Sequence, residues 1–142
     1  MKDTEVKAQS QTRSSKYCTA ILRVIKQLGH ATNAQLLDAV RDTYPDVSAT
    51  TIHRATTRLE ARGSIAVAPA DKQGAMRYDH RTAPHDHFMC ERCGKLRDAD
   101  IAEQVKDALK RQLPDCGVHG RLTVHGVCKD CIKNKELLCR KY

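Results

Sequence analysis

From Tyr17 onward the apolar residues fall at helical spacing. Cys18, Ile21, Leu22, Ile25 and Leu28 share one helix face, and Gly29 stands where a helix stops. Thr32 with Gln35 three residues later has the form of a capping box, in which each residue satisfies the other's backbone N–H. Leu36, Leu37 and Val40 continue it as a second apolar stripe, and Pro45 lies beyond its end. Ser48 can cap a third helix that runs to Arg62, with Gly63 as its stop. The apolar positions of that helix are only Ile52, Ala55 and Leu59, while Thr50, Thr51, His53, Arg54, Thr57 and Arg58 fill its other face. Ile65 and Val67 then alternate with small residues, as in a strand. Pro69 to Gly74 reads as a turn, and Ala75 to Asp79 as a second strand.

Three helices followed by a hairpin is the element order of a winged-helix domain, expected over residues 1–80 with a mobile polar arm at 1–15. Arg81-Thr82-Ala83-Pro84 looks like a hinge, residues 81–84. Beyond it, residues 85–142 carry a short strand from His85 to Met89, a Cys-x-x-Cys turn, and a helix with Ile101, Val105, Ala108 and Leu109 on one face. Leu122 and Val124 then alternate as a strand before a second Cys-x-x-Cys. The expected class is therefore α+β: an N-terminal winged helix followed by a small C-terminal α/β domain.

Composition sharpens this. There is one Phe and no Trp, so two half-length domains must build thin cores from aliphatic side chains, and metal staples or self-association become the expected remedy. The net charge of +8 is spread evenly, with 12 basic against 8 acidic residues up to position 80 and 13 against 9 beyond it. That balance favours an anionic partner, nucleic acid before membrane. No apolar run approaches the length of a membrane span and Met1 to Lys16 has no apolar core, so the expected location is the cytoplasm. Seven cysteines in a reducing compartment point to metal or redox chemistry rather than disulfides.

Cys90, Cys93, Cys128 and Cys131 form two Cys-x-x-Cys pairs separated by 34 residues. Each pair can present both sulfurs to one ion, and four thiolates close a tetrahedron around structural Zn2+. With no open position, such a site holds a fold together and does no catalysis. His85 and His87 are one residue apart, so in a strand both imidazoles face the same side while Asp86 and Cys90 face the other. The pair needs further ligands, for which His30, Asp79 and Asp98 are available. Imidazole mixed with carboxylate suits Fe2+, Mn2+ or zinc. Two plain surface histidines would have the same spacing. Cys18 sits on an apolar helix face and reads as a small core residue.

Taken together, three segments carry a resemblance: Val47-Ser48-Ala49-Thr50-Thr51-Ile52-His53-Arg54; His85-Asp86-His87-Phe88-Met89-Cys90-Glu91-Arg92-Cys93-Gly94-Lys95; and Gly126-Val127-Cys128-Lys129-Asp130-Cys131. From about Ser15 to Lys133 the chain resembles the ferric uptake regulator family of bacterial metalloregulators, most of all its peroxide-sensing branch. The resemblance implies a metal-dependent repressor that binds a double-stranded DNA operator as a homodimer through its C-terminal domain. It implies that Cys90, Cys93, Cys128 and Cys131 hold structural zinc. His30, Asp79, His85, His87 and Asp98 match the family's five regulatory ligands, for Fe2+ or Mn2+. Asp98 is the variant found in peroxide sensors, and His30 and His85 match the histidines that become oxidised there. The third helix would enter the major groove, with Arg54 and His53 as base readers, Thr50, Thr51 and Thr57 near phosphates or thymine methyls, and Lys72 on the wing touching phosphate. Three positions depart from the family pattern: His53 replaces a usual Tyr, Cys18 a common Arg, and the arm lacks a clear helix. An iron- or zinc-uptake regulator without peroxide sensing is the alternative within the family. Enzymatic readings fit less well. Zinc deaminases need His-x-Glu and Pro-Cys-x-x-Cys, where this chain has His87 and Met89. No βαβ frame supports a Cys-x-x-Cys oxidoreductase. A zinc-binding interaction module without DNA is separated by the salt dependence of duplex binding.

Overall fold

The computed structural model describes residues 16–119 and 121–139, so the arm expected at 1–15 lies outside them. The chain is α+β and divides between Thr82 and Ala83 into two compact units.

The first unit begins with helix α1, described over 16–28. Its buried stripe is Cys18, Ile21 and Ile25, whereas Leu22 and Leu28 lie at the surface, 36% and 53% exposed. The apolar face is thus narrower than the spacing implied. Gly29 and Gly63 end α1 and the third helix in the left-handed region, at φ 80° and 73°, where a side chain would be strained. Strand β1, His30–Thr32, was not expected from its sequence; it exists because β3 supplies its hydrogen bonds. Helix α2, Asn33–Arg41, opens with both halves of the Thr32–Gln35 capping box. Helix α3, Ala49–Ala61, opens with Ser48 Oγ accepting from the Thr51 N–H. The Thr56 hydroxyl lies 3.0 Å from Asn33 Oδ1 and fastens α3 to the start of α2. Strands β2, Ala66–Ala68, and β3, Arg77–Asp79, complete an antiparallel sheet of order β1-β3-β2. Ile65 precedes β2 and is buried, while Val67 is 53% exposed, so the two do not share the face that alternation proposed. The wing turn between β2 and β3 is internally tied. The Arg77 guanidinium donates to the carbonyls of Pro69 and Ala70, and Asp71 Oδ1 accepts from the N–H groups of Gln73 and Ala75. One apolar cluster unites the three helices with Ile65 and Tyr78. Burying each of its larger aliphatic side chains contributes about 2 kcal/mol.

The second unit is a three-stranded sheet of order β5-β4-β6 with two helices. Strand β4, Asp86–Cys90, runs antiparallel to β5, Leu96–Ala99, and parallel to β6, Thr123–Gly126. Helix α4, Ala102–Gln112, lies between β5 and β6 in the chain, and helix α5, Lys129–Cys139, follows β6. Val105 and Leu109 of α4 are only half-buried and Ala108 is exposed. Among the described residues, Cys90 and Leu96 are the unit's buried hydrophobics, and Val124, Val127 and Ile132 remain exposed. Gly126 lies close under the Phe88 ring: a Cβ there would stand 3.0 Å from it, so the ring would have to give way. No described helix is long and apolar enough to cross a membrane.

Candidate metal centres and nucleic-acid interface

The four-cysteine cluster forms where the sheet of the second unit meets α5. Cys90 ends β4, Cys93 follows in the turn to β5, Cys128 immediately precedes α5, and Cys131 lies in its first turn. Parallel pairing of β4 with β6 sets Cys90 opposite Gly126, which delivers the second pair to the first. All four sulfurs lie within 4.8 Å of one another, and Cys93 Sγ is 3.7 Å from Cys128 Sγ. An ion with Zn–S bonds of about 2.3 Å sets tetrahedral sulfurs about 3.8 Å apart, so the cluster fits zinc. The Cys128 N–H points at Cys90 Sγ, 3.3 Å away, and Arg92 donates to the Cys131 carbonyl at 3.1 Å. Backbone N–H groups, that of Cys128 foremost, bring the Cys90 thiol down to about 6 against the opposing effect of burial. The Cys131 thiol is pushed up to about 12, first by its hydrogen bond to Cys128 and then by burial. Four thiolates this close repel one another, and a divalent cation is the natural replacement for the retained protons.

The expected regulatory residues fall into two sets, one in each unit, built alike: a histidine opposite an aspartate on neighbouring antiparallel strands. In the first unit, β1 pairs with β3 so that His30 faces Asp79, and His30 Nε2 lies 3.1 Å from Asp79 Oδ2. The other oxygen, Asp79 Oδ1, accepts the Arg81 N–H at 2.8 Å and has His80 Nδ1 at 3.7 Å. In the second unit, His87 faces Asp98 across β4 and β5. His85 Nε2 and His87 Nε2 approach Asp98 Oδ1 at 3.1 and 3.6 Å, and the two imidazole centroids are 4.4 Å apart. His85 Nδ1 lies 2.8 Å from the Ala83 carbonyl, which can only accept, so Nδ1 carries a proton there. In a neutral His85 the lone pair of Nε2 then faces a carboxylate oxygen. That arrangement is stable with a proton or a metal cation between them, and mixed N/O donors fit ferrous or manganous ion.

Asp86 faces away from the imidazoles, as strand parity requires. Its Oδ2 accepts the N–H groups of Ile101 and Ala102 at the head of α4, and its Oδ1 accepts that of Leu122, all at 2.8 Å. Burial pushes this carboxyl up, but the N–H bonds from Ala102, Leu122, Ile101 and Arg121 outweigh it and hold the group below its ordinary range. Helix α4 has no side-chain cap of its own, so Asp86 supplies one from a distant strand. Parity shows which way Asp86 turns; nothing local shows that backbone donors 15 to 36 residues later turn toward it.

On α3, Thr50, His53, Arg54 and Thr57 are exposed on one side, while Thr51 is half-buried. The Thr51 hydroxyl lies 3.0 Å from Ser48 Oγ, and the Thr57 hydroxyl donates to the His53 carbonyl at 2.9 Å. Both are therefore partly engaged by the helix itself. Lys72 is exposed on the wing turn. Cys18 is buried in the first unit's core, with Arg62 Nη2 at 3.6 Å from its sulfur, and Cys116 is exposed.

Comparisons with known proteins agree with one another. The model of the ferric uptake regulator family matches residues 9–121. The peroxide-responsive repressor PerR of Staphylococcus aureus is 30% identical over 128 residues, covering 87% of this chain and 84% of that protein. Among solved structures, the peroxide stress regulator of Campylobacter jejuni superposes with TM-score 0.70 at 18% identity, covering 92% of this chain and all of that one. The ferric uptake regulator Fur of Helicobacter pylori, described with three functional metal-binding sites, superposes with TM-score 0.67 at 20% identity over 91% of each chain. A zinc uptake regulator solved with zinc and DNA gives 0.56 at 20% identity, over 96% of this chain and 99% of that one. The likenesses to solved structures show a shared fold.

Proposed function

The chain belongs to the ferric uptake regulator family, and from this we propose that it represses transcription as a metal-loaded homodimer on operator DNA in the cytoplasm and is released by peroxide. Cys90, Cys93, Cys128 and Cys131 hold zinc, which is a folding element of the second unit. His30, Asp79, His85, His87 and Asp98 serve one exchangeable Fe2+ or Mn2+. That a single ion draws on both units comes from the family resemblance; the chemistry of each His–Asp set supports it. An ion that prefers one arrangement of the units over another shifts the population toward that arrangement by its difference in affinity. His53 and Arg54 read base edges, Thr50, Thr51 and Thr57 lie along the groove, and Lys72 touches phosphate. Leu113, Val118, Val124, Val127 and Ile132 of the second unit are exposed hydrophobics, which pairing with a second copy would cover.

One observation carries the metal-switch reading: two imidazoles converge on one carboxylate oxygen, with the Nε2 acceptor of a neutral His85 facing Asp98 Oδ1. For peroxide, a ferrous ion held by these residues would supply the redox chemistry that cleaves the O–O bond, and His85 or His30, as its ligand, would be the imidazole that gains one peroxide oxygen while the other leaves as water. The 30% identity to a peroxide-responsive repressor supports that extension. The test uses duplexes retained from a random-sequence pool by the metal-loaded protein. Gel shifts with ferrous or manganous protein are compared before and after peroxide, with mass spectrometry of the histidine peptides. Release of the iron form alone, with a 16 Da gain on His30 or His85, is the expected result. Retention of both forms rejects peroxide sensing and leaves an iron- or zinc-uptake regulator.

A further inference from the structure

Lys16 is the first described residue of α1, and its ammonium lies over two aromatic rings. Its Nζ is 5.0 Å from the Tyr17 centroid and 4.7 Å from that of Tyr44. The rings themselves meet edge to face, 5.3 Å apart at 79°, and both pack against the core of the first unit. Tyr44 belongs to the turn that leads into α3. Its N–H donates to the Val40 carbonyl, its carbonyl accepts from Val47, and Ser48 then caps the helix. The cage is thus bonded to the segment that begins the reading helix.

Two features make this more than a packing detail. Among the described residues Lys16 has no carboxylate partner; its recorded contacts are the two rings. A cation held on ring faces also keeps its N–H donors toward solvent, and its side-chain freedom is already reduced. An ammonium mounted on ring faces, with no carboxylate partner among the described residues and with one of its rings four residues before the α3 cap, is suited to a phosphodiester oxygen.

We propose that Lys16, caged by Tyr17 and Tyr44, contacts the backbone phosphate of the same duplex that α3 reads, fixing the register of α3. This rests on the DNA-binding reading above. The experiment measures binding of a mixed-sequence duplex by fluorescence anisotropy over a salt series, with the full-length metal-loaded protein. Wild type is compared with Lys16→Gln, Lys16→Arg and Lys26→Gln, the last an exposed lysine further along α1. Each lost phosphate contact makes the log–log salt slope shallower by about 0.9. Lys16→Gln is expected to lose that amount per protomer, while Lys16→Arg and Lys26→Gln keep the wild-type slope. Circular dichroism of each variant checks the fold. A steep wild-type slope unchanged in Lys16→Gln, or an equal loss in Lys26→Gln, overturns the contact while the DNA reading stands. A flat wild-type slope removes the DNA reading itself and this contact with it.

Discussion

Asp86 and the two histidines beside it act in opposite directions because a strand turns alternate side chains to opposite faces. The imidazoles meet Asp98, while Asp86 holds the head of α4 and the Leu122 N–H. Asp86→Ala strands backbone donors, those of Ile101, Ala102 and Leu122 among them, and with partial access to water the expected loss is roughly 2–4 kcal/mol. Urea unfolding of zinc-loaded protein reads this as a lower midpoint for the second unit; an unchanged midpoint would contradict the cap. The sign with pH follows from the depressed carboxyl. Its folded value lies below its unfolded one, so its contribution is complete above the ordinary carboxylate range and disappears as pH falls through the folded value. Wild type should therefore lose stability on acidification below about pH 4, and Asp86→Asn should lose less over that interval. The sequence shows an aspartate between two histidines and, through parity, its direction; its partners are set by tertiary structure alone.

Among the elements, those with local signals were legible. Thr32 with Gln35, and Ser48, mark the starts of α2 and α3, and both caps form as the side-chain chemistry dictates. Ser48→Ala removes the acceptor for the Thr51 N–H and should cost about 1 kcal/mol, read as a lower melting temperature of the first unit. Ser48→Asp should keep that stability, since a carboxylate also caps, yet weaken duplex binding by placing a negative charge beside phosphate. Equal duplex affinity for Ser48→Asp and wild type would place the head of α3 away from the backbone. Less legible was β1, because His30-Ala31-Thr32 has no alternation to read and is a strand only through β3. Leu22 and Leu28 also follow the helical period of α1 but lie at the surface, since spacing gives the direction of an apolar stripe and not its width.

For the molecule as a whole, the two units differ in what holds them. The first has a cluster of a dozen buried residues, whereas the second buries only Cys90 and Leu96 among its described hydrophobics. Removing zinc with a thiol-competitive chelator should therefore melt the second unit and leave α1–α3 folded, as hydrogen exchange followed by peptide would show. Uniform protection after chelation would contradict that division. The paired cysteine spacing announced the thiolate cluster plainly; the expectation that His30 and Asp79 serve the same ion as His85, His87 and Asp98 came from likeness to a family alone, since no local pattern carries it. Parallel pairing of β4 with β6 places half the thiolates at the end of β4 and in the turn after it, and half at the head of α5, with an entire helix between them in the chain. A ribosome must therefore finish nearly the whole second unit before zinc can be captured. Chains stopped anywhere within α4 keep one loose Cys-x-x-Cys and no stable fold around it, so proteolysis can discard them before they compete with finished repressor.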